Sequence, residues 1–349
     1  TFTRRRHSRM ALGRITASGR LGLAELIAIG VGGMIGGGIF SILGLAVDIS
    51  GHAAPLAFLI GSLIAAVAGY SYVRLALTFH SDGASFTYLE RAFPRTPALA
   101  GMAGWTVVVG YIGTLALYAF TFGAYAAHLF GFADSGLGRW LLSSASLLLF
   151  LFINTAGAGK MGKAEDVAVY VKIALLAGLF VIGMFALDGA RFHPFFDHGA
   201  ASVLLGGAVI FVAFEGFQLI TNAVCEARNP ERDIPRGVFG SILITSTIYI
   251  GIAIVAVGNL DAAAIHAAEE YALAVVAKPI IGQAGEVLVD IAAMLATSSA
   301  INATIFGASQ MAWEMAHDRL APRAFSFRNR VGAPVSAAVV ITALALLLT

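Results

Sequence analysis

Long runs of apolar residues recur along the whole chain, separated by short segments that carry most of the charged positions. The hydrocarbon core of a bilayer is about 30 Å thick, so a helix that crosses it needs roughly 20 mostly apolar residues. We predict nine windows of this kind. They cover approximately residues 23–47, 54–77, 97–130, 138–156, 167–188, 201–225, 238–259, 284–313 and 333–349. The pattern indicates an all-α polytopic membrane protein.

Composition agrees with this prediction. Apolar residues make up 58% of the 349 residues and charged residues only 12%, whereas a soluble domain carries about 25% charged residues. The mean hydropathy is +0.85. The first window is not typical of a cleaved signal peptide, because it is long, follows a basic lead and has no small-residue cleavage site before a polar mature domain.

The positions of the 22 lysine and arginine residues predict the orientation. With the N-terminus on the cytoplasmic side, 18 of them fall in the basic lead or in loops on that side. The opposite side holds Arg139, Arg191 and Lys278, and Lys172 remains within a span. Under the positive-inside rule, this distribution predicts a multi-pass protein of the plasma or inner membrane with a cytoplasmic N-terminus. Topology explains the basic lead, and binding to specific lipids is the alternative.

The expected domain organisation is simple. Residues 1–22 form a basic cytoplasmic segment, and residues 23–349 form a single transmembrane domain. The chain starts without methionine and stops at Thr349 inside an apolar run. We therefore expect both ends of the natural protein to lie outside this sequence, with the ninth span truncated and without its exit loop.

The stretch AIGVGGMIGGGIF, residues 28–40, places six glycines among the nine positions from Gly30 to Gly38. No GxGxxG or GxxxxGK[ST] register fits residues 30–41 and no strand precedes them, which argues against a nucleotide site. One interpretation is close helix packing through small residues, because Gly32/Gly36 and Gly33/Gly37 have the GxxxG spacing. The other interpretation is a helix that is interrupted inside the membrane.

A second interruption is predicted in the sixth window. The sequence GGAVIFVAFEGFQLITNAVCEARNPERDIPRG, residues 206–237, carries Glu215 and Gly216 at the centre of an apolar segment and then becomes charged. A carboxylate in the membrane is costly unless it faces protein or water. Interrupted helices five spans apart, in opposite orientations, indicate an inverted repeat with a binding site at the membrane midplane. The first repeat would cover about residues 23–188 and the second, incomplete repeat about 201–349.

An interrupted helix offers two kinds of main-chain ligand. Unpaired N–H groups begin one half-helix and unpaired carbonyls end the other, and both need partners in hydrocarbon. The N–H groups favour a carboxylate, whereas the carbonyls favour an ammonium group or a metal cation. Because a zwitterionic amino acid carries both charges close together, the interruptions predict a site for an amino acid.

Three motifs together resemble the amino acid-polyamine-organocation (APC) transporter superfamily, with permeases of the bacterial amino acid type. The motifs are GVGGMIGGGIF in the first window, FVAFEGF followed by EARNPERDIPR after the sixth, and SSAINATIFGASQMAWEMAHDRLAPRAF in the eighth. The resemblance covers about residues 22–334. It implies a LeuT-type fold of two inverted five-helix repeats with broken first and sixth helices. It also implies secondary active transport by alternating access, with no enzymatic activity and no cofactor.

The resemblance implies two sets of main-chain ligands for the substrate. The substrate carboxylate would bind amides of three consecutive glycines, Gly36, Gly37 and Gly38. The amino group would bind carbonyls of Met34 and of the break from Ala213 to Glu215.

Side chains of the second interruption complete the predicted substrate site. Phe211 and Phe214 match positions near an aromatic gate in the superfamily. Two interpretations of Glu215 stay open. Its carboxylate faces the substrate cavity, where it attracts a cationic group or carries a proton, or it only satisfies amides of the broken helix.

Lys172 lies six residues after Asp166 in EDVAVYVKIALLAGLF, with no acidic residue within four positions. On position alone, its long stem would let the ammonium reach the cytoplasmic interface. The resemblance implies another role, because proton-coupled superfamily members carry a lysine here in place of a bound sodium ion. Its partners would be carbonyls around Gly30 to Gly33 and the hydroxyls of Ser298 or Ser299. This predicts proton-coupled symport that does not depend on sodium.

Several other residues have ordinary structural explanations. Trp105, Tyr111 and Tyr118 lie on the third span, where relatives line the substrate path, but aromatic residues on a long apolar helix more often serve packing. His128 and His193 fall near the outer interface and are expected to be ordinary surface residues.

At the predicted cytoplasmic side, the eighth-window motif departs from the family pattern, and the segment after the sixth window contains two prolines. Gln310 and His317 stand where many relatives carry arginine, and Arg319 stands where glycine is common. The Asn-Pro and Ile-Pro steps of RNPERDIPR are expected to end the sixth helix and shape a cytoplasmic loop.

No motif of a competing chemistry is present in the sequence. It has no HExxH motif, no cysteine cluster and no paired carboxylates at catalytic spacing, and Cys225 is its single cysteine. A membrane enzyme or a channel is therefore disfavoured. Alternatives within transport are an amino acid/amine exchanger and a carrier of polyamines or small amines. The expected partners are a small-molecule substrate, protons and the lipid bilayer, with no metal and no nucleic acid.

Overall fold

The computed structural model describes residues 21–80, 85–156, 162–330 and 332–349. Within these ranges the chain folds into α-helices and short 3-10 helices, and the single β-bridge pairs Leu21 with Ala227. The α-helices are α1 (Leu23–Met34), α2 (Gly38–Ser50), α3 (Ala54–Phe79), α4 (Ser85–Ala92), α5 (Pro97–Leu129), α6 (Gly136–Ala156), α7 (Gly162–Met184), α8 (Ala200–Ile210), α9 (Leu219–Asn222), α10 (Pro230–Asn259), α11 (Ala262–Ala268), α12 (Ala272–Ile281), α13 (Gln283–His317) and α14 (Val335–Leu348).

Six helical stretches in the described part of the chain are long and apolar enough to cross a membrane. They are Gly38–Phe79, Ala98–Leu129, Gly136–Ala156, Ala200–Asn222, Pro230–Asn259 and Gln283–His317. Large apolar side chains on these helices are exposed, including Val67 (72%) and Phe152 (69%), as expected for surfaces that contact lipid. The prediction of a helical polytopic membrane protein is therefore confirmed.

The remaining predicted spans are represented by shorter apolar helices. These are Leu23–Met34, Val169–Met184 and Val335–Leu348. Leu23–Met34 and Val335–Leu348 have fewer residues than the roughly 20 that a perpendicular crossing requires, and Val169–Met184 is the apolar part of the 23-residue helix α7. The count of nine spans therefore stays a prediction.

The charged segment after the sixth window is a turn up to residue 229, as predicted, but the loop prediction is wrong from residue 230 onward, where the chain is helical. The helix α10 begins at Pro230 rather than near residue 238. Proline is favoured at the first helical position, because its fixed φ suits the helix and its missing N–H would have no partner there. Glu231 and Asp233 lie in the first turn, where negative charge is favourable next to the helix dipole.

Two short helices, α11 and α12, lie between α10 and α13 and were not predicted. The ten residues of α12 are too few to form a membrane window, but Leu273, Val276 and Ala277 are buried. Their burial fixes α12 against the start of α13. Tertiary packing therefore determines that this segment forms a helix, and the length of its apolar run does not.

Buried apolar side chains form two main clusters. The larger cluster contains residues of α1, α2, α3, α8, α10 and α12, together with the first part of α13. The smaller cluster joins α5, α6, the second part of α13 and α14. Met34 and Ala213 belong to the larger cluster, whereas Tyr118 and Ala300 belong to the smaller one. Both glycine-rich interruptions lie at the boundary between the clusters.

Candidate substrate site

The first predicted interruption is present in the structure. The helix α1 ends at Met34 and α2 begins at Gly38, with a turn at residues 35–37 between them. The residue before α2, Gly37, has no side chain that could cap the helix. The first N–H groups of α2 lie at the positive end of the helix dipole.

The second interruption is also present. The helix α8 ends at Ile210, a 3-10 helix covers Phe211–Phe214, and a turn at residues 215–218 precedes α9. Gly216 in this turn has a φ of +132°, which only glycine adopts without strain. Its N–H donates to the Gln218 side chain at 2.8 Å, so this amide has a partner within the protein.

The two interruptions contact each other through main-chain atoms. A Cβ atom added at Gly216 would lie 2.4 Å from the carbonyl carbon of Gly33 and 2.6 Å from the nitrogen of Met34. Real Cβ atoms do not approach so closely, so the contact requires glycine at position 216. The glycines therefore allow both the close packing of these segments and the interruption of the helices. Close packing and an interrupted helix, the two interpretations of residues 28–40, do not exclude each other.

Tyr249 on α10 joins the two interruptions. Its hydroxyl oxygen lies 2.7 Å from the Met34 carbonyl oxygen and 3.3 Å from that of Ala213. The side chain is fully buried, and its ring packs against Phe58 and Phe214 at centroid distances of 6.1 and 5.4 Å. Tyr249 was not predicted as a site residue, because no sequence signal shows which tyrosine of an apolar helix contacts an interruption.

The Glu215 side chain points to α5. Its Oε2 atom lies 3.1 Å from the Thr114 hydroxyl, and both side chains are half-buried. In the part of the chain that the structure describes, no lysine, arginine or histidine pairs with this carboxylate within 4.0 Å. The site therefore holds a carboxyl group whose described partner is a hydroxyl rather than a cationic side chain.

The aromatic residues of α5 differ in their positions. The Tyr118 ring covers Gly37, because a Cβ atom at position 37 would lie 2.4 Å from the ring. Tyr111 packs at the edge of the smaller apolar cluster, to which Tyr118 belongs. Trp105 lies elsewhere, with its indole N–H donating to the Leu320 carbonyl at 3.1 Å. The packing interpretation thus suits Trp105, whereas Tyr118 belongs to the site.

Lys172 is fully buried on α7. A fully buried side chain does not agree with the interpretation in which the Lys172 ammonium reaches the cytoplasmic interface. A Cβ atom at Gly32 would lie 3.0 Å from Val169, one turn before Lys172, so α7 packs on the glycine-rich end of α1. The helix therefore brings Lys172 into the region of the first interruption.

Ser298 and Ser299 lie in the middle of α13, and both are half-buried. The next residue, Ala300, reaches the first interruption, since its Cβ atom would lie 3.3 Å from one added at Gly36. The structure therefore brings α13 to the same interruption as α7, and the coupling role of the two serines stays a prediction.

A second polar cluster joins α5, α12 and α13, and it corrects the prediction for His128. The Nδ1 atom of His128 lies 2.9 Å from Asp290 and its Nε2 atom 3.5 Å from Glu286. Lys278 lies 3.0 Å from the second Glu286 oxygen, and the Tyr271 ring stacks on the imidazole at 4.4 Å. His128 is therefore part of an ion network, which we call the outer network.

A sequence signal for the outer network existed. Glu286 and Asp290 lie inside the eighth apolar window, and acidic residues in such a window indicate a buried polar partner. Asp290 is 1% exposed. His193, the other histidine expected at the surface, is exposed.

The end of α13 explains why glycine suits position 319. Arg319 has a φ of +63°, in the left-handed region that favours glycine. The Leu320 N–H donates to the Met315 carbonyl at 2.8 Å, and the Arg319 N–H to the Ala316 carbonyl at 3.3 Å. This pair of bonds forms a Schellman motif, in which the left-handed position ends the helix.

The fold and the site define a class of protein: a helical, multi-pass membrane protein in which two interrupted helices meet through glycine main chain. The profile of a family described as amino acid permease matches residues 21–349. The chain belongs to this amino acid permease family.

Individual relatives agree with the family. An uncharacterized protein of Methanocaldococcus jannaschii is 32% identical over 326 residues, which cover 92% of this chain and 74% of that protein. The inner membrane transport protein YbaT of Escherichia coli is 28% identical over 308 residues, with coverage of 87% and 70%. The chloroplastic cationic amino acid transporter 9 of Arabidopsis thaliana is 25% identical over 326 residues, with coverage of 88% and 57%.

These similarities confirm two predictions from the sequence. The chain is an APC superfamily transporter of the amino acid permease family, and it is a transporter rather than an enzyme. The structure and the family together confirm a multi-pass membrane protein.

Proposed function

We propose that this protein is a secondary active transporter that moves an amino acid across the plasma or inner membrane by alternating access. The proposed architecture is the LeuT-type arrangement of two inverted five-helix repeats. The observation that carries the proposal is the main-chain contact between the two interruptions, at the boundary of two apolar clusters. Small residues let helix backbones approach closely, and two interrupted helices that meet near one position are typical of transporters with a midplane binding site.

The interruptions supply complementary ligands for a zwitterion. Amides of Gly37 and Gly38 lie at the start of α2, and the Gly36 amide, which donates to the Gly33 carbonyl at 3.3 Å, lies in the turn just before it. The helix dipole at this end favours the substrate carboxylate. Carbonyls of Met34 and Ala213 lie at the opposite kind of helix end, which favours the ammonium group. Phe211 and Phe214 lie on either side of this position in the second interruption. Phe214 is fully buried against Tyr249, so the half-buried Phe211 is the side chain that would close over the bound substrate.

Coupling to protons is the second part of the proposal. Lys172 is buried beside the glycine-rich end of α1, with the hydroxyls of Ser298 and Ser299 and carbonyls of Gly30 to Gly33 as its proposed partners. Burial weakens proton binding by a lysine, and nearby carbonyl or hydroxyl oxygens strengthen it. Opening and closing the site would therefore bind and release a proton. We propose symport with protons, independent of sodium.

The test is uptake of a panel of radiolabelled amino acids into proteoliposomes. An inward proton gradient should drive accumulation without sodium, and Lys172→Ala should abolish this accumulation while the thermal unfolding midpoint shows a folded protein. Val171→Ala is the matched control, because Val171 is the neighbouring residue on α7 and is 48% exposed. Sodium-dependent uptake, or unchanged proton coupling in Lys172→Ala, would contradict the assignment.

A second candidate, a carrier or exchanger of amines and polyamines, is favoured by Glu215. Its carboxylate has a hydroxyl partner and no cationic side chain among the described residues, which suits a substrate with additional positive charge. Competition by L-arginine and by agmatine distinguishes the candidates, since agmatine lacks the carboxylate. An amino acid transporter binds L-arginine much more tightly, whereas an amine carrier binds the two similarly.

The cytoplasmic N-terminus is also a proposal, supported by the distribution of basic residues. Glu231 is exposed at the start of α10, on the side that carries most of the arginines. A cysteine at this position, in a Cys225→Ser background, should react with a membrane-impermeant maleimide only in inverted vesicles. Labelling in intact cells would reverse the orientation.

A further inference from the structure

We infer that Tyr249 is a positioning residue of the substrate site, whose hydroxyl holds the carbonyls of Met34 and Ala213 side by side for one ammonium group. This inference rests on the proposed function, because it requires an amino acid or amine to bind at the interruptions. It adds a third helix, α10, to a site that the sequence assigned to the two interrupted helices.

The first observation is the position of the hydroxyl. Both carbonyl oxygens lie within 3.3 Å of the Tyr249 hydroxyl oxygen. Met34 is the last residue of α1 and Ala213 lies in the 3-10 helix of the second interruption, so each carbonyl belongs to a segment where the regular helical hydrogen bonding stops. The main-chain contact at Gly216 brings the two interruptions together, and the Tyr249 hydroxyl bridges one carbonyl of each.

The second observation is the hydrogen-bond capacity. A phenol has one hydrogen to donate, and the 2.7 Å contact makes the Met34 carbonyl its main acceptor. A carbonyl oxygen has two lone pairs. Tyr249 therefore leaves acceptor capacity on both carbonyls, which an ammonium group with three hydrogens can use.

The third observation is that packing fixes the ring independently of the hydroxyl. The ring is fully buried and lies edge-on to Phe58 of α3 and tilted against Phe214. Tyr249→Phe keeps these contacts and removes only the oxygen. The variant therefore separates a positioning role of the hydroxyl from a packing role of the ring.

Tyr125 is a matched control within the same chain. It is fully buried, its hydroxyl donates to the Phe40 carbonyl at 3.2 Å, and its ring packs edge-on to Phe40 at 6.1 Å. Phe40 lies within α2, and its carbonyl is neither of the two at issue. Tyr125→Phe thus removes a buried tyrosine hydroxyl of α5 that bonds to the first broken helix but to neither of the proposed carbonyl ligands.

The experiment measures KM and Vmax for uptake of L-leucine and L-arginine into proteoliposomes by the wild type, Tyr249→Phe and Tyr125→Phe. We expect Tyr249→Phe to raise KM about tenfold, equivalent to about 1.4 kcal/mol, with Vmax within about twofold of the wild type. Tyr125→Phe should keep the wild-type KM. A wild-type KM in Tyr249→Phe, or an equal rise in both variants, would overturn the inference.

A second readout isolates the amino group. Inhibition by L-leucine and by 4-methylpentanoate, which lacks the amino group, is compared in the same vesicles. The preference for L-leucine should fall in Tyr249→Phe and stay unchanged in Tyr125→Phe, and an unchanged preference in both would count against the inference. Tyr249→Met, also without a hydroxyl, replaces the phenylalanine variant if that variant folds poorly.

Failure of the proposed function gives a different result. In that case the wild type accumulates no member of the amino acid panel, under any ion gradient, and both the function and this inference are overturned. If the wild type transports an amino acid and only the Tyr249 comparison fails, the transporter assignment stands and the positioning role is wrong.

Discussion

Gly38, the first residue of α2, lies directly against the carbonyl of Ala213 in the second interruption. A Cβ atom at position 38 would lie 2.6 Å from the Ala213 oxygen and 2.8 Å from its Cα atom. Because these are main-chain atoms, no rotamer change can relieve such a contact. The pair therefore sets how closely the two interrupted helices approach.

Gly38→Ala should separate the interruptions and reduce both stability and uptake. We expect a loss of about 1–3 kcal/mol, as for other overpacked sites, and uptake at least tenfold below the wild type. Gly110→Ala is the control, because Gly110 lies within α5 with no atom within 4 Å of an added Cβ. Thermal unfolding in detergent and uptake in proteoliposomes measure both effects, and wild-type values in Gly38→Ala would contradict the contact.

Glu215→Gln keeps the shape of the side chain and removes its charge. The amide oxygen can still accept from Thr114, so we expect little change in stability. If the carboxylate attracts a cationic group, KM for L-arginine should rise about tenfold while KM for L-leucine changes less, since hydrogen bonds to charged groups contribute roughly 1.5–3 kcal/mol. Unchanged affinity, preference and pH dependence would leave Glu215 only a structural role.

Thr114→Val is the companion to this variant. It removes the hydroxyl 3.1 Å from the Glu215 carboxylate and keeps the charge. A substrate role for the charge predicts that Thr114→Val retains the preference for L-arginine. Loss of that preference in Thr114→Val alone would assign recognition to the hydroxyl instead.

The outer network should contribute to stability through His128. Replacement by glutamine leaves Asp290, which is 1% exposed, beside Glu286 without the imidazole between them. Breaking a buried ion pair on one side costs about 3–5 kcal/mol, so the unfolding midpoint should fall by several degrees. His193→Gln is the control, because His193 is exposed.

A double-mutant cycle tests whether the two partners act together. The combined variant His128→Gln with Asp290→Asn should lose less stability than the sum of the single variants, because the second change removes the unpaired charge. Additive losses would show that the two side chains are energetically independent.

Arg319→Gly should stabilise the protein without affecting transport. The left-handed conformation costs a non-glycine residue roughly 1–2 kcal/mol, and the exposed Arg319 side chain lies at φ +63°. Gly282→Ala is the reciprocal variant, with φ +82° and no atom within 4 Å of an added Cβ. Unfolding midpoints should move up for Arg319→Gly and down for Gly282→Ala, and a midpoint that falls in Arg319→Gly would reject this account.

The sequence predicted those features that depend on local composition. Six glycines within nine positions and a carboxylate beside Gly216 marked both interruptions, because an apolar helix has few other reasons to carry such residues. The helical class followed from apolar length. The other residues at the site were harder to predict from the sequence, because Thr114, Tyr118 and Tyr249 also fit ordinary helix surfaces.

Contacts between residues that are distant in the sequence were not predicted. His128 and Asp290 are separated by 162 positions, and only their helices bring them together. The start of α10 was misplaced for another reason, because prolines that end one helix also begin the next. A short helix such as α12 is decided by packing, which a window of apolar residues does not measure.

The acceptors that Tyr249 holds together belong to the main chain, and this limits what genetics can detect. A substitution at position 34 or 213 changes a side chain but leaves the carbonyl oxygen in place. A deep mutational scan would therefore score these positions by side-chain fit alone, and would underrate the atoms proposed to bind the ammonium group. By the same reasoning, relatives can differ in the side chains around the interruptions and still keep the same main-chain carbonyls. These carbonyls would bind the amino group, which all amino acids share.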